Sequence, residues 1–93
     1  MKLDYIDEKD RIYAKDDTGI LLAEIKFPTV SDGLVNFTST FVDPSLRGQG
    51  VGEQLVRAAI SKIKEQGMMA EITCSYVKAW FGKHPEETDV LVK

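Results

Sequence analysis

Val42-Asp43-Pro44-Ser45-Leu46-Arg47-Gly48-Gln49-Gly50-Val51-Gly52 decides how this chain folds. Strand-like sequence runs into it and a helical pattern leaves it. Gly48, Gly50 and Gly52 alternate with larger residues, so the backbone here can take sparsely allowed angles and approach another molecule closely. A helix start offers unpaired N–H donors and the positive end of a macrodipole. Together these make an anion site suited to phosphate or pyrophosphate. Arg47 adds a fixed cation with a planar donor fork at the rim.

Three phosphate-binding loops compete for the segment. A Walker loop ends in Gly-Lys-Ser/Thr, whereas Gly52 is followed by Glu53 and Gln54. A dinucleotide fingerprint needs its third glycine where Glu53 stands, near the start of a strand–helix–strand unit. The third pattern is Arg or Gln, two residues, Gly, one residue, then Gly or Ala. Arg47, Gly50 and Gly52 meet it without a gap, and the stretch resembles the pyrophosphate loop of the GCN5-related N-acetyltransferases throughout.

Upstream, Leu3 to Asp7 and Arg11 to Lys15 read as short strands, and Asp16-Asp17-Thr18-Gly19 is a turn with Gly19 free to take positive φ. Ile20 to Phe27 is a third strand, and Pro28 to Gly33 a loop. Leu34 to Val42 reads as the longest strand, rich in β-branched and aromatic residues. Strict alternation puts Val35, Phe37, Ser39 and Phe41 on one face, and Asn36, Thr38, Thr40 and Val42 on the other. Pro44 lacks the ladder donor and ends the strand. Downstream, Val51, Leu55, Val56, Ala59, Ile60 and Ile63 form the apolar stripe of a helix that stops at Gly67. Met69 to Cys74 or Ser75 follows as a strand, then Tyr76 to Lys83 as a short helix carrying Trp80 and Phe81. Val90-Leu91-Val92 reads as a last strand or an extended end. The order predicts an α+β fold, a mostly antiparallel sheet with one β-α-β crossover, in a single domain spanning residues 1–93. The crossover rule places the helix over the sheet and the glycine loop at the open end of the long strand.

Composition narrows the function classes. The chain has 93 residues, 43% hydrophobic and 29% charged, as expected of one globular domain with a modest core. A net charge of −3, with lysines and arginines dispersed, lacks the basic face of a nucleic-acid binder. No apolar run approaches a membrane span, and Asp4, Asp7, Glu8 and Asp10 interrupt any leader core. One cysteine cannot make an internal disulfide, so the reading is cytoplasmic. One Cys and one His give no metal-ligand spacing, and no metal is expected.

Cys74 and His84 are the candidate catalytic side chains. If its strand lies beside Leu34–Val42, Cys74 reaches the open end of the glycine-loop cleft, at the start of a helix. The alternative for Cys74 is a small buried hydrophobe. His84 suits a proton shuttle near neutral pH, or else it caps the end of the short helix. Phe37, Phe41, Trp80 and Phe81 read as core or cleft wall. Cys74-Ser75-Tyr76, Trp80-Phe81 and His84-Pro85-Glu86 resemble a minimal, single-domain branch of the same superfamily, related to the bacterial YjdJ-type acetyltransferases. The likeness spans roughly Ile20 to Glu86. It departs at Ser39, where many members of the branch place a histidine. Compared with ordinary members of the superfamily, the resemblance implies an acceptor half without the N-terminal helices and last strands that usually wall the acceptor site.

The resemblance implies acetyl-CoA as cofactor and an amine, small molecule or protein, as acceptor. It implies cofactor contacts from Thr40, Phe41 and Val42 to the pantetheine amides. The pyrophosphate would meet Arg47, Gly48, Gln49, Gly50, Val51 and Gly52. The implied activity is N-acetyl transfer, direct or through an acetyl-Cys74 intermediate. The alternative is a CoA-binding module with little or no catalysis. Oligomeric state stays open, and residues 88–93 carry no functional signal.

Overall fold

The computed structural model describes residues 3–92. The turn residues set the first sheet. β1 (Ile6–Glu8), β2 (Arg11–Lys15) and β3 (Leu21–Lys26) form an antiparallel meander. Gly19 turns the chain between β2 and β3 at φ 88°. Asp16 ties this turn down by accepting from Thr18 and Ile20 N–H groups. Residues 28–33, expected as a loop, contain a further short strand, β4 (Thr29–Ser31). It pairs with β5 (Leu34–Phe37) around Asp32-Gly33, with Gly33 at φ 74°.

The long strand is broken, which corrects the sequence reading. β5 ends at Phe37 and β6 (Ser39–Val42) begins two residues later with different partners. β6 pairs antiparallel with β3, Thr40 opposite Ile25 and Phe41 opposite Glu24. β5 pairs parallel with β7 (Met69–Ile72), Val35 opposite Ala70. The cause is a bulge. The Thr38 N–H bonds the Lys26 carbonyl at 3.1 Å although Ser39 is Lys26's ladder partner. One extra residue therefore reverses the alternation. Thr38 and Ser39 both lie outside; Thr40 and Val42 then turn inward and Phe41 outward. Phe41 is 42% exposed, so it is not core, whereas Phe37, Trp80 and Phe81 are buried.

β7 runs beside β5 but not beside β6. The strands part at Phe37, whose carbonyl accepts from the N–H groups of Thr73 and Cys74, each at 3.0 Å. Beyond that point the far edge of β6 has no strand partner among the described residues.

α1 (Val51–Glu65) joins β6 to β7 and packs on β2, β3 and β6. Its buried residues are the six of the predicted stripe. Gly67, at φ 68°, ends it with Met68 N–H bonding the Ile63 carbonyl, the wrap that satisfies terminal carbonyls. α2 (Ser75–Lys83) buries Val77, Trp80 and Phe81. One core joins both sheets and both helices, with Phe37 touching Phe27 and Phe81 at ring distances of 6.0 and 6.2 Å. Pro85–Val90 makes tight turns, and Leu91 forms a single parallel bridge to Ala70 rather than a strand.

Candidate functional site

The glycine loop closes the open end of the β6 edge. Asp43 accepts from the Ser45 N–H at 3.0 Å and the Ser45 hydroxyl at 2.5 Å, fixing the short turn Pro44–Leu46. Leu46 plugs into the core. Gly48 and Gly50 follow at φ 82° and 75°, a region that side chains bearing Cβ rarely enter. Gly50 is the N-cap of α1, without a side-chain cap bond, and its carbonyl accepts from the Gln54 N–H at 3.0 Å. The N–H groups of Val51, Gly52 and Glu53 are the open donors of the first turn. Arg47 stands exposed beside them, with no carboxylate within 4.0 Å among the described residues.

Register decides what β6 offers. Asp43 N–H bonds the Leu22 carbonyl at 2.7 Å, so Phe41 also points its backbone groups at β3. Antiparallel alternation then turns the N–H and C=O of Thr40 and Val42 to the free edge. A cavity of about 360 Å³ lies there, lined by Thr40, Val42, Arg47, Gly48, Gly50 and Val51, with Leu46, Gly52, Glu53 and Tyr76 completing the wall. Of the nine residues read as cofactor-binding, all but Phe41 and Gln49 line it. Gln49 instead bonds back to the Ser45 carbonyl at 3.3 Å.

Cys74 is the N-cap residue of α2, 9% exposed, with Sγ 3.6 Å from the Thr40 hydroxyl oxygen. Cys74 thus touches one cavity-lining residue, Thr40, and is not itself on the cavity wall. His84 caps the other end of α2, about 15 Å away along the helix axis. Its ring stacks on Trp80 at 4.0 Å, and Nδ1 lies 2.8 Å from the Trp80 carbonyl oxygen. The structure therefore separates Cys74 from His84. It brings His84 instead to Glu53, Nε2 to Oε1 at 3.5 Å.

Three wall residues lie outside the nine read from the sequence: Leu46, which belongs to the core, Tyr76 and Glu53. Tyr76 lays its phenol across Gly52, where an added Cβ would come within 2.9 Å of the ring carbon bearing the hydroxyl. Burial, then the charges of Glu53 and Cys74, push this phenol above its ordinary range, so it holds its proton at neutral pH. Glu53 looks like an ordinary exposed helix residue in the sequence. The small residue at position 52 was the available signal of a close approach, but its partner lies in a distant segment.

A family model described as GCN5-related N-acetyl-transferase matches residues 11–90. A GCN5-like protein from Staphylococcus aureus, solved by NMR, superimposes with a TM-score of 0.81 at 30% identity, covering 97% of this chain and 88% of that one. The N-acetyltransferase YhbS of Escherichia coli, solved in complex with CoA, gives a TM-score of 0.58 at 25% identity, covering 67% and 38%. The protein NATD1 of Gallus gallus is 29% identical over 69 residues, 74% of this chain and 59% of its own length. The match therefore spans less than two thirds of such curated relatives. Among the described residues, no helix is long and apolar enough to cross a membrane.

Proposed function

We infer the activity from one premise: this chain belongs to the GCN5-related N-acetyltransferase family. We propose that it is an acetyl-CoA-dependent N-acetyltransferase. The observation that carries the reading is the union of an anion loop and an unpaired strand edge on one cavity. The CoA bound to the Escherichia coli relative supports the same cofactor. Acetyl-CoA supplies an activated acetyl thioester when bound.

The protein's own groups divide the work. Arg47 and the first-turn N–H groups of α1 hold the pyrophosphate, with Gly48 and Gly50 giving the backbone its approach. The free N–H and C=O groups of Thr40 and Val42 pair with the pantetheine amides as an added strand would. The edge leads past Thr40 towards Cys74, and the residues where β6 and β7 diverge would receive the acetyl end of the cofactor. Tyr76, whose phenol keeps its proton at neutral pH, would donate that proton to the departing thiolate and regain one from water. The acceptor is an amine that reaches the site in its neutral form and loses its proton to water.

Direct transfer fits Cys74 better than a covalent relay, because its thiol is 9% exposed and engaged with Thr40. An amide NMR titration with acetyl-CoA, CoA serving as control, tests the cofactor site. Large shifts at Gly48, Gly50 and Gly52 that extend through Thr40–Val42 to Cys74 are expected. No shift at about millimolar ligand refutes the assignment. Turnover with a panel of amines then separates an enzyme from a binding module. Cys74→Ala retains acetyl transfer by the direct route and loses all protein-bound acetyl label by the covalent one, read by intact mass.

A further inference from the structure

Glu53 is an unexpected wall residue for an anion pocket. It stands in the first turn of α1 and lines the same cavity as Arg47, Gly48 and Gly50. A carboxylate there suits the helix dipole, but it repels a pyrophosphate. Two basic side chains hold it. Arg57, one turn along, brings Nη2 within 3.4 Å of Oε1. His84 approaches the same oxygen through Nε2 at 3.5 Å.

The histidine ring is not free to turn. Nδ1 faces the Trp80 carbonyl at 2.8 Å, so Nδ1 carries the hydrogen, and the ring stacks on Trp80 with an interplanar angle of 11°. Neutral His84 therefore presents a lone pair to Glu53, and protonated His84 presents an N–H. Imidazole is the side chain that changes charge across the neutral range. The other groups around Glu53 do not. Arginine, here Arg57 and Arg47, is always cationic. Tyr76 keeps its proton. Glu87 reaches Arg57 at 3.8 Å and Lys64 at 3.7 Å from the tail.

We propose that Glu53 and His84 form a charge gate on the cofactor pocket, a reading that rests on the cofactor assignment above. With His84 protonated, the carboxylate is held and compensated, and the pyrophosphate binds tightly. With His84 neutral, Arg57 alone compensates Glu53, more of its field reaches the pyrophosphate and binding weakens. Affinity therefore falls as pH rises. His84 is a positioning residue that acts through Glu53, which accounts for its distance from Cys74.

Titration calorimetry with dephospho-CoA tests the gate. This probe lacks the 3′-phosphate, whose own second ionisation falls near pH 6. From about pH 5.5 to about pH 8.5 the Kd of the unsubstituted chain should rise about three- to tenfold. Glu53→Gln should bind at least as tightly as the unsubstituted chain does at low pH, and with a flat profile. His84→Asn, which keeps an amide donor for the Trp80 carbonyl, should be flat at the weaker value. If His84→Asn does not fold, Glu53→Gln decides alone. A flat profile in the unsubstituted chain, or a slope that survives in Glu53→Gln, overturns the gate. Absence of dephospho-CoA binding at every pH overturns the cofactor assignment, and the gate with it.

Discussion

Replacing Gly52 by alanine sets two opposite effects against each other. Gly52 has an ordinary helical backbone within α1, so a methyl group should favour the helix by up to about 1 kcal/mol. The same methyl group would overlap the Tyr76 hydroxyl oxygen and stand 2.9 and 3.3 Å from two of its ring carbons. Carbon pairs are most favourable at roughly 3.5–4.0 Å, so something must move. Overpacking costs about 1–3 kcal/mol. Tyr76 is 45% exposed and its ring can swing outward, so the lower end applies. Gly52→Ala should therefore change stability by less than about 1 kcal/mol in the unsubstituted chain. In a Tyr76→Ala background it should stabilise by about 0.5–1 kcal/mol. The coupling between the two positions comes to about 1 kcal/mol, or roughly 4–8 °C in Tm for a domain of this size. Urea denaturation of the four proteins in the cycle measures it. Equal effects in both backgrounds, within about 0.3 kcal/mol, refute the claim that the phenol rests on Gly52. Activity gives a second readout: a displaced phenol should lower kcat in Gly52→Ala to the level of Tyr76→Phe.

Gly50→Ala should cost about 1–2 kcal/mol, since φ is 75° and no atom lies within 4 Å to add a packing effect. Gly50→Asn should recover much of it, because asparagine tolerates this region; equal losses in the two variants would place the cost elsewhere. Asp43 is held below the usual carboxylate range by the Ser45 hydroxyl, the Ser45 N–H and the charge of Arg47. Its contribution to stability is full above the ordinary aspartate pKa and is lost as pH falls through the lower folded value. Asp43→Asn should remove that part of the acid lability, measured as the slope of urea stability against pH below about pH 5. Parallel slopes for the two proteins would contradict this.

Local information made half of this molecule legible. The apolar stripe of α1 was readable because all six of its residues follow one helical period and all six are buried. Gly19, Gly48, Gly50 and Gly67 were readable because their backbone angles demand glycine. The break at Thr38 was not. β-propensity runs unbroken through Leu34–Val42, and the bulge exists only because Lys26 is shared between Thr38 and Ser39. Phe41 was misplaced for that reason, since one extra residue reverses every face after it. Tyr76 over Gly52 and His84 on Glu53 join segments far apart in the chain. No spacing rule within either segment reports such a meeting. Thr40 and Cys74 were readable together because parallel pairing of β7 with β5 follows from the crossover, and both residues lie just past the point where that pairing ends.

The one-sided pairing of β6 has a consequence for exchange with solvent. Phe41 points its amide at β3, and that amide opens only when the sheet opens. The amides of Thr40 and Val42 face the free edge, where deuterium can reach them without any opening. A single four-residue strand should thus label in a fast–slow–fast rhythm along Thr40, Phe41 and Val42. A molecule that lies along this edge would slow the two fast sites and leave the middle one unchanged. The strand would report its own occupancy, residue by residue, with no probe attached.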